Sequence, residues 1–160
     1  MFKYGRINKK AEELGIDVEE ILIQAISRND PNEEIKIRLE LARKYMAECE
    51  EYIKKDDAVQ ASEKAYKVAE ELVKALAEKF NLEEYQRARK EGRWYTYLLG
   101  SASSKLSTKL GSWVLNGWDS GYSLYVWGFH EAKWSIIDIL PRVEIIRKML
   151  EEAENVLSVH

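Results

Sequence analysis

The chain has 160 residues, 46% hydrophobic and 33% charged, with a formal net charge of −3. That length suits one domain around one core, and the composition excludes an intrinsically disordered chain. The slightly acidic balance excludes a generic polyanion binder but leaves room for a local basic patch.

Met1-Phe2-Lys3-Tyr4-Gly5-Arg6 has no apolar signal-peptide core, and no apolar run approaches the length of a membrane span. The expectation is a cytoplasmic protein without membrane contact. Asp17-Val18-Glu19-Glu20 opens the first clear helix: Asp17 can accept from first-turn amides, with Glu20 completing a capping-box-like pattern. Its short apolar stripe ends near Asn29. Residues 1–30 read as an N-terminal helical extension and 31–160 as the main bundle.

Asp30-Pro31-Asn32-Glu33 has the order cap, proline, acidic first turn. The helix it starts runs to about Lys55, with Ile35, Leu39, Ala42, Tyr45, Met46, Cys49, Tyr52 and Ile53 at three- and four-residue spacing. Cys49 is the sole cysteine, so the chain has no internal disulfide or cysteine-based zinc site. It reads as a small buried hydrophobe. Lys54-Lys55-Asp56-Asp57 is a tight polar connection to a second long helix, about Ala58 to Lys79, whose stripe begins with Ala58, Ala61 and Ala65. So short a linker between two long helices requires an antiparallel hairpin.

A short charged helix is expected from Asn81 to about Lys90, ended by Gly92, and another from Trp94 to Leu110. Gly111 through Gly117 reads as a break. A further helix is expected to start at Trp118 or Asp119 and run past Phe129 to Ile136, and a last one to carry Val143 to Leu157 with Pro141 near its start. The fold class is all-α, an antiparallel four- or five-helix bundle. Its Lys/Glu-rich, Gln-poor helix surfaces suit a thermophilic source.

Candidate functional residues fall in the second half. Trp113, Trp118, Tyr122, Tyr125, Trp127, Phe129 and Trp134 are interleaved with Gly117, Gly121 and Gly128. Rings at helical spacing mean packing first, but one neighbour cannot bury so many, which leaves a dimer interface or a base-stacking surface through Trp118 and Trp127. His130 is the one internal histidine, in Gly128-Phe129-His130-Glu131. It is expected to be partly buried, with a general acid/base role as the catalytic alternative. Asp119 lies eleven residues earlier, near one helical face but about three turns away, too far to orient the ring as a triad acid does. Asp119 and Glu131 join the ligand-contacting candidates. No second internal histidine or HExxH spacing accompanies His130, so neither metal nor cofactor is expected. Arg93, Lys105 and Lys109 form the core of a locally basic segment that reads as a solvated face or as an RNA- or phosphate-facing patch.

Two stretches carry a family resemblance. Arg38 to Tyr45 with Asp56 to Lys67 and Val73 to Ala77, and the later Trp118-Asp119 with Gly128-Phe129-His130-Glu131, resemble the archaeal PaREP family. More distantly the chain resembles the HEPN superfamily of helical bundles. The resemblance covers about Ile35 to Leu157. It implies two long antiparallel helices, pairing into homodimers, and partners such as RNA, a nucleotide or a nucleotidyltransferase. It also implies a ribonuclease motif, an Arg four to six residues before a His. Residues 124 to 129 contain no Arg, so His130 matches only half of that motif. The function expected is therefore a non-catalytic dimeric binding or regulatory module. A metal-independent, toxin-like ribonuclease using His130 and a purely structural oligomer are the alternatives.

Overall fold

The hairpin expected from the paired apolar stripes is the centre of the fold. In the computed structural model, which describes residues 5–158, it is formed by α3 (Glu34–Lys54) and α4 (Ala58–Lys79). The turn takes three residues, with Asp56 at φ 59°. Asp57 caps α4 by accepting from the Gln60 amide at 3.0 Å. Every apolar residue of α4 from Ala61 to Ala77 is buried, which marks a helix surrounded by others. Its alanines permit that close approach. Cys49 lies fully buried against it, and burial pushes its thiol up to about 12.

Before the hairpin come α1 (Gly5–Glu13), α2 (Val18–Asn29) and a 3₁₀ turn (Pro31–Glu33). After it come α5 (Glu83–Glu91), α6 (Thr96–Leu110), α7 (Trp113–Ser123), a π-helical segment (Leu124–His130) and α8 (Ile136–Leu157). No strand occurs among the described residues, and none of the described helices is long and apolar enough to cross a membrane. The core joins Leu39 and Met46 of α3, Leu72 and Leu76 of α4, Leu106 of α6, Trp118 of α7 and Ile146 of α8. Each such large apolar side chain contributes about 1.5–3 kcal/mol by leaving water. The bundle is therefore all-α, with α3, α4, α6, α7 and α8 around one core.

Three element boundaries differ from the sequence expectation. The break after α6 is only Gly111 and Ser112; α7 starts at Trp113, not at Trp118 or Asp119. Gly117 is not a breaker there: a Cβ on it would lie 2.2 Å from Met149 Sδ, so its bare Cα lets α8 close on α7. Next, the helix through Ile136 is not regular. After Ser123 it widens into the π segment, whose exit is marked by Glu131 N donating to Val126 O at 2.8 Å, a five-residue step. It ends at His130, and Ala132, at φ 52°, lies in the turn that follows. Finally, α8 starts before Pro141. Ser135 and Asp138 form its capping box, and Pro141 lies inside the helix.

Candidate functional site

The residues singled out from sequence do not form one patch. Lys105 Nζ sits 2.8 Å from Glu84 Oε2, which also accepts from Ser101 Oγ at 2.9 Å. Lys109 stands over the Phe80 ring at 5.2 Å, and the Arg93 guanidinium over the Tyr95 ring at 4.4 Å. Trp118 is 5% exposed and packs beside Tyr66, so its ring fills the core. Trp127 is 47% exposed.

His130 differs from the expected partly buried ring. Its side chain is 70% exposed at the end of the π segment, with Nε2 3.8 Å from Glu131 Oε2. Asp119 is exposed on α7. The alignment of Asp119 with His130 assumed 100° per residue throughout, and the π turns between them break that register.

The π segment carries an aromatic ladder. Trp118 and Tyr122 are 6.0 Å apart, Tyr122 and Tyr125 6.3 Å, and Tyr125 and Phe129 5.9 Å between ring centres. Tyr66 of α4 closes on Tyr125 at 4.5 Å. Gly121 and Gly128 let this strip lie on α4: added Cβ atoms would sit 2.8 Å from Ala69 Cβ and 2.1 Å from Ser62 Oγ. What remains open is Tyr122, Trp127 and, on the first turns of α8, Ile137 and Leu140; Ile137 is 82% exposed.

A second constellation was not legible as a site. Arg38 of α3, buried to 1%, uses Nη2 and Nη1 on the two oxygens of Glu20, at 2.7 and 3.2 Å. Nη1 also donates to Glu71 Oε1 at 2.9 Å. Lys74 Nζ reaches the same Glu20 at 3.1 Å, and lies 3.8 Å from Glu70 and Glu71. Arg89 of α5 donates to Ser27 at 2.7 Å and to Glu34 at 3.4 Å. Arg38 Nε is buried without a hydrogen-bond partner, with Glu34 Oε2 3.9 Å away.

The electrostatics are mutually dependent. Burial alone would push the Glu20 carboxyl up, but Lys74 and Arg38 outweigh it and bring it down to about 2. Burial likewise opposes the charge on Arg38 and Lys74, and the surrounding carboxylates hold both above their ordinary range. Glu78 goes the other way: burial and a hydrogen bond with Glu34 push it up to about 9, so it keeps its proton at neutral pH. Burial also raises Glu70, against the pull of Lys74. Glu20, Glu34, Glu70 and Glu71 thus surround Arg38, Lys74 and Arg89.

Sequence reading placed Glu20 in a capping box. Asp17 does accept from Glu20 N at 3.1 Å, but the Glu20 carboxylate goes to Arg38 instead. Nothing sets Glu71 and Lys74 apart in sequence from the other charged residues of α4, such as Glu63, Lys64 and Lys67.

Beside this cluster opens a cleft of about 280 Å³, with Asp17, Glu20, Glu70, Lys74, Arg93 and Trp94 in its lining. Among the described residues no group of three or more His, Cys, Asp or Glu is placed to hold a metal ion.

Comparison with known proteins finds both a solved structure and a family model similar to this chain. A crystal structure of a protein from Sulfolobus solfataricus superposes with a TM-score of 0.68 at 36% identity, over 73% of this chain and 96% of that one. No curated protein matches the sequence. The family model of the archaeal PaREP1/PaREP8 family matches residues 37–156, which hold the hairpin, the π segment and most of α8. The chain therefore belongs to the archaeal PaREP1/PaREP8 family.

Proposed function

We propose that the protein is a non-catalytic, HEPN-like binding module that pairs with a second copy across its aromatic face and takes RNA or a nucleotide as ligand. In a cell a nucleotidyltransferase-type protein is the partner such a module would serve. The observation that carries the pairing is the exposed group Tyr122, Trp127, Ile137 and Leu140, which flanks the exit of the π segment. Large rings and aliphatic chains left in water next to a packed core are what a partner surface covers. A two-fold axis brings the same patch of each copy together, and an apolar patch is its own complement.

Replacing both Trp127 and Ile137 with Glu buries two charges at that contact. The expected result is a monomer by light scattering at concentrations where the parent chain pairs, with unchanged helix content. A double variant that still pairs would remove this face from the interface.

An exposed imidazole beside a carboxylate favours one further reading, a ribonuclease using His130. The histidine lacks the upstream Arg of the HEPN motif. Wild type and His130→Ala are therefore expected to leave a labelled single-stranded RNA equally intact. Cleavage by wild type that is lost in His130→Ala would favour the enzyme.

A further inference from the structure

The ionic cluster divides along the family boundary. Arg38, Glu71, Lys74, Arg89 and Arg93 fall within the matched residues 37–156, while Asp17, Glu19, Glu20 and Glu34 precede them. The carboxylate that accepts from both Arg38 and Lys74 thus comes from a helix outside the family match. Its geometry is that of a bound anion: a guanidinium fork on both oxygens and an ammonium on one of them. Without Glu20, Arg38 and Lys74 each lose a hydrogen-bonded carboxylate in a buried place.

α2 is also held in an exchangeable way. Of Ile21, Leu22, Ile23 and Ile26, only Ile23 is buried. Its inner contacts are polar: Glu20 to Arg38 and Lys74, Glu19 accepting from Tyr45 Oη at 2.8 Å, Gln24 donating to Gly92 O at 3.3 Å, and Ser27 accepting from Arg89. Another anion can replace a contact of that kind, whereas apolar burial has no such competitor. Arg38 Nε, buried and unpartnered, is a further donor that the two oxygens of Glu20 do not engage. A phosphate brings three terminal oxygens.

We propose that Arg38 and Lys74 form a phosphate-binding site of the bundle and that Glu20 occupies it as a built-in counter-ion, so that a mononucleotide entering the cleft beside α2 binds by displacing Glu20. Trp94 and Arg93 line the same cleft, offering a ring and a second cation to the rest of the ligand. The site deepens the binding-module reading and rests on it for the ligand class only. Lys74 lies twelve residues along α4 from Ser62, where the π segment packs, or about 18 Å. The site can therefore fail while pairing holds, and the reverse.

The test is calorimetric titration of full-length wild type, Glu20→Gln and Glu20→Gln/Lys74→Met with AMP and with inorganic phosphate. Glu20→Gln is expected to bind AMP at least about tenfold more tightly than wild type, and the added Lys74→Met to remove that gain. Equal affinity of wild type and Glu20→Gln, or a gain that survives loss of Lys74, would overturn the site. AMP binding no tighter than inorganic phosphate would overturn the nucleotide assignment. Amide hydrogen exchange on the wild-type chain decides the matter if Glu20→Gln does not fold. Saturating AMP should speed exchange in residues 18–29 selectively, and unchanged or slowed exchange there would refute the displacement.

Discussion

Replacing Arg38 with methionine should cost roughly 3–5 kcal/mol of stability, the largest loss expected from any single change in this chain. Arg38 is buried and bridges carboxylates from three elements: Glu20 of α2, Glu71 of α4 and, at 3.9 Å, Glu34 of its own helix. Methionine fills much of the volume but leaves those carboxylates facing one another in a largely buried site. Urea denaturation of wild type and variant at pH 7 measures the loss. Removing a facing charge should return part of it, so Arg38→Met/Glu20→Gln should be more stable than the two single losses sum to, by about 1–3 kcal/mol. Strict additivity would mean that the two side chains do not depend on one another.

The same cluster sets the pH response of the wild type. Glu20 titrates at about 2 in the fold against an ordinary 4.5. Its stabilising contribution is therefore complete above 4.5 and lost as pH falls toward 2. Glu78 acts with the opposite sign. Its folded carboxyl keeps the proton up to about 9, whereas the unfolded chain releases it near 4.5. Between those values the folded state binds more protons, so this group makes stability fall as pH rises.

Gly128→Ala should cost about 1–3 kcal/mol, although alanine is intrinsically the better helix former. The new Cβ would lie 2.1 Å from Ser62 Oγ and 2.6 Å from Ser62 Cβ. Rotating the hydroxyl removes the first contact, but the second is fixed by the α4 backbone, so the π segment must lift. Ser62→Gly on the same chain takes away both atoms and should recover most of the loss. Thermal unfolding of the single and double variants reads this directly. A Gly128→Ala variant as stable as wild type would show that the π segment does not depend on touching α4 there. A change that lifts Gly128 also moves Trp127 and the face proposed for pairing.

The hairpin was legible in sequence because two independent signals agreed: apolar residues at helical spacing, and a polar link too short for anything but an antiparallel return. Where legibility failed, one residue type had two physical uses. Gly117 reads as a breaker but serves as a contact, since only a bare Cα admits Met149. Ile136 reads as the end of the preceding helix, yet the capping box of Ser135 and Asp138 makes it the start of α8. The ionic cluster was illegible because periodicity assigns charge to solvent. Nothing in the spacing of Glu20, Arg38, Glu71 and Lys74 shows that three helices bring them to one buried point. The aromatic run did show in sequence as an excess over what a core needs, but not which rings stay outside. Trp118 packs inside and Trp127 stays out, nine residues and about half a rotation further along the helix.

Pairing through the aromatic face is the claim on which the functional reading turns. Sedimentation equilibrium of the wild-type chain from low to high micromolar concentration tests it most directly. The expected result is a mass rising to twice 18.7 kDa. A mass that stays at 18.7 kDa throughout would contradict it.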